Sequence, residues 1–248
     1  YENNNIINRP DRREVGNIDL GGFYQRITTA PAVTLVLQNI TNGNAEIDLR
    51  SDVGDNPDAS HLKVNGNDLS GVDNIQLRGG SSITFNQPLT LNAPITAHGL
   101  MSGALIVDAN VVLTKGIGQY QNNALASIDI KDNRQLTLKN NTNVANIILG
   151  SNSILHVDSS INNVSIQSSV GSNVNGTMHD KQGIINVAGN HQVTFKQDIG
   201  EEDLRVSNIN TNNTNVIFEN NVYAKKIEVN VNNITFNGKV DMFKRQAQ

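Results

Sequence analysis

Cysteine and tryptophan are absent from the 248 residues, and aromatic side chains make up only 4% of them. Without cysteine the chain is free of disulfide chemistry in whatever compartment it works. Without tryptophan, and with only four tyrosines, it offers few stacking platforms for sugar rings. A core supplied chiefly by Val, Ile and Leu suits a thin, uniform interior better than a thick, irregular one. No apolar run approaches the roughly 18 residues of a membrane-spanning helix. The longest, Ala30 to Leu37, is broken by Pro31 and Thr34. A strong excess of either charge is lacking as well: 19 basic and 23 acidic residues leave a net charge of −4. The basic residues form no run, so neither a phosphate-tracking surface nor a nucleic-acid partner is expected. The chain opens at Tyr1 with no initiator Met and no basic-then-apolar leader, and is expected to be an excised piece or a mature passenger.

Helix signals are also scarce. Ala, Glu, Lys and Leu are nowhere concentrated, and apolar residues seldom recur at i, i+3 and i+4. What recurs instead is short alternation: Ile83-Thr84-Phe85, Leu136-Thr137-Leu138, Val164-Ser165-Ile166, Val193-Thr194-Phe195 and Ile234-Thr235-Phe236. Each reads as a half-buried strand. Between them lie clusters of Asn, Gly, Ser and Asp, which read as turns. Asparagine is present at 40 positions, far above ordinary usage. It tolerates left-handed turn geometry and forms side-chain ladders when equivalent positions stack.

The strands also repeat. Apolar, any, apolar, three residues, apolar fits Ile83-Phe85-Leu89, Val111-Leu113-Ile117, Leu155-Val157-Ile161, Val164-Ile166-Val170, Val193-Phe195-Ile199, Val216-Phe218-Val222 and Ile234-Phe236-Val240. Chance alone would give on the order of five such triplets in a chain this rich in aliphatics. The phenylalanines carry more weight, because four of six (Phe85, Phe195, Phe218, Phe236) fall in one slot of the pattern. A repeat of this length, with three short strands and their turns, matches one coil of a β-helix. Such coils bury their apolar faces only against neighbouring coils. The expected fold is therefore all-β, a right-handed parallel β-helix, with Phe195, Phe218 and Phe236 in one column. Residues 81–248 are expected to form regular coils. Residues 1–80 are expected to form N-terminal coils with an irregular excursion around 50–61.

Candidate chemistry is sparse. Asp48, Asp52, Asp55 and Asp58 form an acidic stretch whose oxygens could hold calcium, but it lacks EF-hand spacing and a closing Glu. Asp52, Asp55, Asp58 and His61 are singled out as a binding excursion. The five histidines are scattered, with no zinc-ligand spacing, and His179-Asp180 has no nucleophile elbow nearby. The strand acids Asp129, Asp158 and Glu228 stand apart, whereas glycan-cleaving β-helices need carboxylates gathered in one groove. The expectation is a protein without enzymatic activity, cofactor or metal.

The phrases Ile83-Thr84-Phe85-Asn86-Gln87-Pro88-Leu89, Val193-Thr194-Phe195-Lys196-Gln197-Asp198-Ile199 and Ile234-Thr235-Phe236-Asn237-Gly238-Lys239-Val240 resemble repeats of autotransporter passengers. They look most like the rickettsial surface cell antigens of the outer membrane protein A and B type. The resemblance spans roughly residues 80 to 240. It implies a β-helix secreted by or displayed on a Gram-negative bacterium, which meets the membrane only through a separate C-terminal barrel. It implies adhesion to, or invasion of, host cells through a surface protein or glycan. Two other readings remain: a polysaccharide-active β-helix enzyme, and a self-associating surface-layer protein whose edge strands pair between copies.

Overall fold

In a computed structural model, the described residues are 14–29, 33–49, 60–118, 123–171, 182–212, 215–230 and 233–242. Their regular structure is entirely strand, and every strand pairing is parallel. The strands stack as a β-solenoid of about 9 turns, the parallel β-helix expected from the alternation.

Each turn passes through three walls. The first holds Thr34–Leu37, His61–Val64, Ser82–Phe85, Ala104–Val107 and Leu125–Ile130, each in register on the one before. The second holds Leu89–Leu91, Val111–Leu113, Gln135–Leu138, Ile154–Ser159, Gln182–Gly189 and Val206–Asn212. The third begins with Tyr24–Thr28, Asn44–Leu49, Val72–Arg78 and Ile95–His98. It continues through Ile117 and Thr142 to Val164–Gly171, and then to Val193–Phe195, Val216–Phe218 and Ile234–Phe236. In Thr142–Leu149 and Val164–Gly171 a single strand rounds the corner from third wall to first, with a register shift between Asn143 and Asn146.

Alternation supplies one inward row per strand, and stacking turns the rows into continuous apolar columns. On the first wall Leu35, Leu62, Ile83, Leu105, Ile128, Ile147, Val170, Ile199, Val222 and Val240 follow one another. All but Val240, on the last turn, are buried. On the second wall Leu91, Leu113, Leu138, Val157 and Val187 do the same. Turn length varies: Val222 lies 18 residues before its successor Val240, and Val170 lies 29 before Ile199. That variation blurs any fixed period in the sequence.

The expected aromatic column is present. The rings of Phe195, Phe218 and Phe236 lie parallel, with centroids 5.1 Å apart in each pair. Phe85 does not join them. It stacks between Val64 and Val107 on the first wall, whereas the other three line the third. Only the last four copies of the triplet are true equivalents: Val164, Val193, Val216 and Ile234 stack, as do Ile166 and the three rings. Val111 and Leu113 belong to the second wall with Leu155 and Val157, and Ile161 is 66% exposed in a turn. A strand, a three-residue turn and an apolar residue occur at more than one corner of the coil, so the same spacing arises on different walls.

The turns explain much of the asparagine. Its side-chain oxygen repeatedly accepts a backbone N–H from the next coil: Asn39 from Asp68 (2.9 Å), Asn110 from Gln135 (3.0 Å), Asn141 from Ser165 (2.8 Å), Asn163 from Gln192 (3.0 Å) and Asn221 from Lys239 (3.0 Å). These bonds tie turn to turn where ladder bonds are interrupted, satisfying amides that would otherwise lack a partner.

Candidate functional surfaces

The walls are closed and apolar inside, so recognition chemistry must lie outside. Three outer regions stand out, and the first is the corner where the third wall turns into the first. The connection from Ile95–His98 to Ala104–Val107 crosses it, and there Leu100 and Met101 are 81% and 66% exposed. Met101 holds a left-handed φ of 49°, an uncommon state for a side chain of its type. An apolar tip thus stands out from a largely polar exterior.

Of the expected binding excursion, Asp52, Asp55 and Asp58 lie outside the described residues. His61 is described. It starts a first-wall strand, half-buried, with Nδ1 2.6 Å from the Ser82 hydroxyl of the next coil. Asp48, grouped with the acidic stretch in the sequence, lies on the strand Asn44–Leu49 and is fully buried. Arg26 Nη2 donates to its Oδ2 at 2.5 Å, and Arg78 Nε donates to its Oδ1 at 2.9 Å. Arg78 also reaches Gln76 Oε1 at 3.1 Å, and the Tyr24 hydroxyl donates to Glu46 at 2.8 Å. The Asp48 bond raises the Arg26 guanidinium further above its ordinary range, against an opposing effect of burial. Asp48 is thus the centre of a charged cross-coil tie on the outside of the third wall and not an open calcium ligand. Among the described residues, no three His, Asp or Glu side chains gather as metal ligands.

The second region is the outer face of the second wall. Thr137, His156, Asn186 and Asn210 follow one another there, with Asn210 Nδ2 donating to Asn186 Oδ1 at 2.8 Å. Burial lowers the basicity of His156 and Lys139 adds to the effect, while Asp158 partly offsets it. Burial also opposes ionisation of Asp158. The Ser160 hydroxyl and amide, with the Lys139 ammonium at 3.2 Å, outweigh that and hold its carboxyl below the usual range.

The third region is a groove of about 340 Å³ on the outside of the first wall. Ser127, Asn146 and Ser169 stack there in register, and Ser169 donates to Asn146 Oδ1 at 2.6 Å. Asp198 comes next, because Ile199 pairs with Val170. Ile148, Gly171 and Gly200 lie alongside. A small hairpin closes one end, where Glu201 and Leu204 exchange backbone bonds of 3.1 and 3.0 Å. Sequence reading missed this groove, since its carboxylates, Asp198 and Glu201, sit in a turn and a hairpin rather than on strands. The one available signal was the acidic run Glu201-Glu202-Asp203.

No protein-family model matches the chain, and no curated protein or solved structure matches it either.

Proposed function

We propose that this chain is the passenger portion of a surface-displayed autotransporter, acting in adhesion to or invasion of host cells. The observation that carries this reading is the exposed Leu100–Met101 tip. Leu100 is the most exposed large apolar side chain among the described residues and Met101 adjoins it, so the pair stands outside the columns and has no packing use there. The stacked walls form a stiff scaffold that holds the tip away from the axis. Loops on rigid scaffolds are the usual place for recognition. The partner would be a host surface protein or glycan.

The test is binding of the purified, fluorescently labelled chain to cultured host cells. Leu100→Ser with Met101→Ser, and separately deletion of residues 51–59, are expected to lower saturable binding at least fivefold at unchanged thermal stability. Undiminished binding by both variants would remove the tip and that stretch as adhesive sites.

One observation favours the glycan-active enzyme as a second reading: Asp198 and Glu201 line one groove, and paired carboxylates are the machinery of glycoside cleavage. Release of reducing ends from polysaccharide by the wild-type chain, lost in Asp198→Asn, would establish it.

A further inference from the structure

We propose that the first-wall groove is a binding site for a cationic side chain, arginine in particular, presented by a protein partner. This goes beyond the adhesive reading, whose site is the Leu100–Met101 tip, because the groove is a separate region with a chemistry of its own.

The argument begins with the shape. The groove is a built concavity between stacked strands and the Glu201–Leu204 hairpin, and its roughly 340 Å³ lies at the small end of the range for ligand pockets. It suits one long side chain and not a folded segment. Its lining divides in two. Ile148 and Leu204 offer apolar walls, against which the methylenes of an arginine stem can lie while its head seeks charge. Asp198 and Glu201 supply that charge. Both are exposed, and neither is ion-paired among the described residues. One oxygen of Asp198 accepts the Asn221 amide at 3.0 Å, which fixes the carboxylate and leaves its second oxygen for a ligand.

No Lys, Arg or His lines the groove among the described residues. An anionic ligand would therefore meet two carboxylates with nothing to offset them, a like-charge penalty. A neutral sugar would leave the charges unused, and no aromatic ring lines the groove for it to stack on. A guanidinium satisfies both acids, because its planar fork presents five donors to carboxylate and amide oxygens. Lysine offers a point charge and is expected to bind more weakly.

The experiment uses the full chain and capped pentapeptides, acetyl-Gly-Gly-Arg-Gly-Gly-amide and its Lys and Glu counterparts, titrated calorimetrically at low salt. Saturable one-site binding of the Arg peptide is expected, weaker binding of the Lys peptide, and none of the Glu peptide. Asp198→Asn keeps the acceptor for the Asn221 amide, and Glu201→Gln is isosteric; each should weaken binding at least tenfold. Gly171 lines the groove and a Cβ there meets nothing within 4 Å; Gly171→Leu should weaken binding at least tenfold by occupying that space, with thermal unfolding checking that the variant is folded. Asp73→Asn, an exposed charge on the early strand Val72–Arg78, should leave affinity unchanged. Three results would each overturn the proposal: no saturable binding, an equal loss in Asp73→Asn, or full binding in Gly171→Leu. Binding of chitotetraose in preference to the Arg peptide would overturn it too, in favour of a glycan site. Cell adhesion is not a readout here, so failure of the groove leaves the test at the Leu100–Met101 tip independent.

Discussion

Phe218 sits in the middle of three parallel rings and is 1% exposed, as closely packed as Phe195 at 0%. Truncating a buried ring costs its transfer free energy and leaves a cavity. Phe218→Ala is therefore expected to destabilise the chain by about 3–5 kcal/mol in denaturant unfolding. Phe236→Ala should cost less, because that ring is only partly buried on the last turn. Asp48 is a different case. Its carboxylate is fully buried but its two arginines are 34% and 26% exposed. Asp48→Ala should cost about 2 kcal/mol, short of the roughly 3–5 for a wholly buried pair, since both guanidiniums can turn to solvent. His156 gives the fold a pH dependence. Its basicity is lower in the folded state than the ordinary 6.5, so the native chain binds fewer protons than the unfolded one. Stability then falls as pH drops below about 6.5, until the depressed native value has been passed. His156→Asn should flatten that slope in urea unfolding series.

Among the elements, the long strands depend on close approaches at the corners. Gly183 enters the second wall with φ of 75°, and a Cβ there would come within 2.4 Å of the Leu149 Cβ. Gly183→Ala is expected to cost about 1–3 kcal/mol from overpacking alone, with left-handed strain in addition; thermal unfolding against wild type measures it. Gly171, one residue before the undescribed 172–181 stretch, should accept even leucine. Turn asparagines act between elements. Asn141→Ala removes the acceptor for the Ser165 amide and is expected to cost about 1 kcal/mol. Arg205 makes a similar tie near the C-terminal end: 3% exposed, it reaches Asp241 of the last strand at 3.3 Å. Nothing in the sequence around Arg205 marks it as buried.

For the whole molecule, the parallel solenoid was legible because short alternating strands recur at coil-length spacing with their phenylalanines in one slot, and such coils bury their apolar rows against neighbouring coils. The aromatic column was legible from Phe195, Phe218 and Phe236, whose turns are short and alike. Assignment to walls was not. Phe85 shares their local pattern but follows a different corner, and Ile161 matches the spacing while facing solvent. Periodicity reports which residues face inward and is silent on which of three walls they line. The functional surfaces were less legible still. The Leu100–Met101 tip and the Asp198–Glu201 groove are made in turns, where no period constrains the sequence. Asp48 looked like part of a polar loop because its arginine partners stand 22 and 30 residues away.

The central claim is that these strands form three stacked walls in the register described, with residues 216–218 directly beneath 234–236. The absence of cysteine allows a direct measurement: engineered disulfide formation across one rung. Ile217 and Thr235 are register partners facing outward, within the Cα separation of roughly 4.4–6.8 Å that a disulfide spans. Ile217→Cys with Thr235→Cys should cross-link completely under mild oxidation, in the monomer. Thr84→Cys with Thr235→Cys occupies the same slot of the sequence pattern on different walls, and should not. Cross-linking of the second pair, or failure of the first, would contradict the wall assignment on which the rest depends.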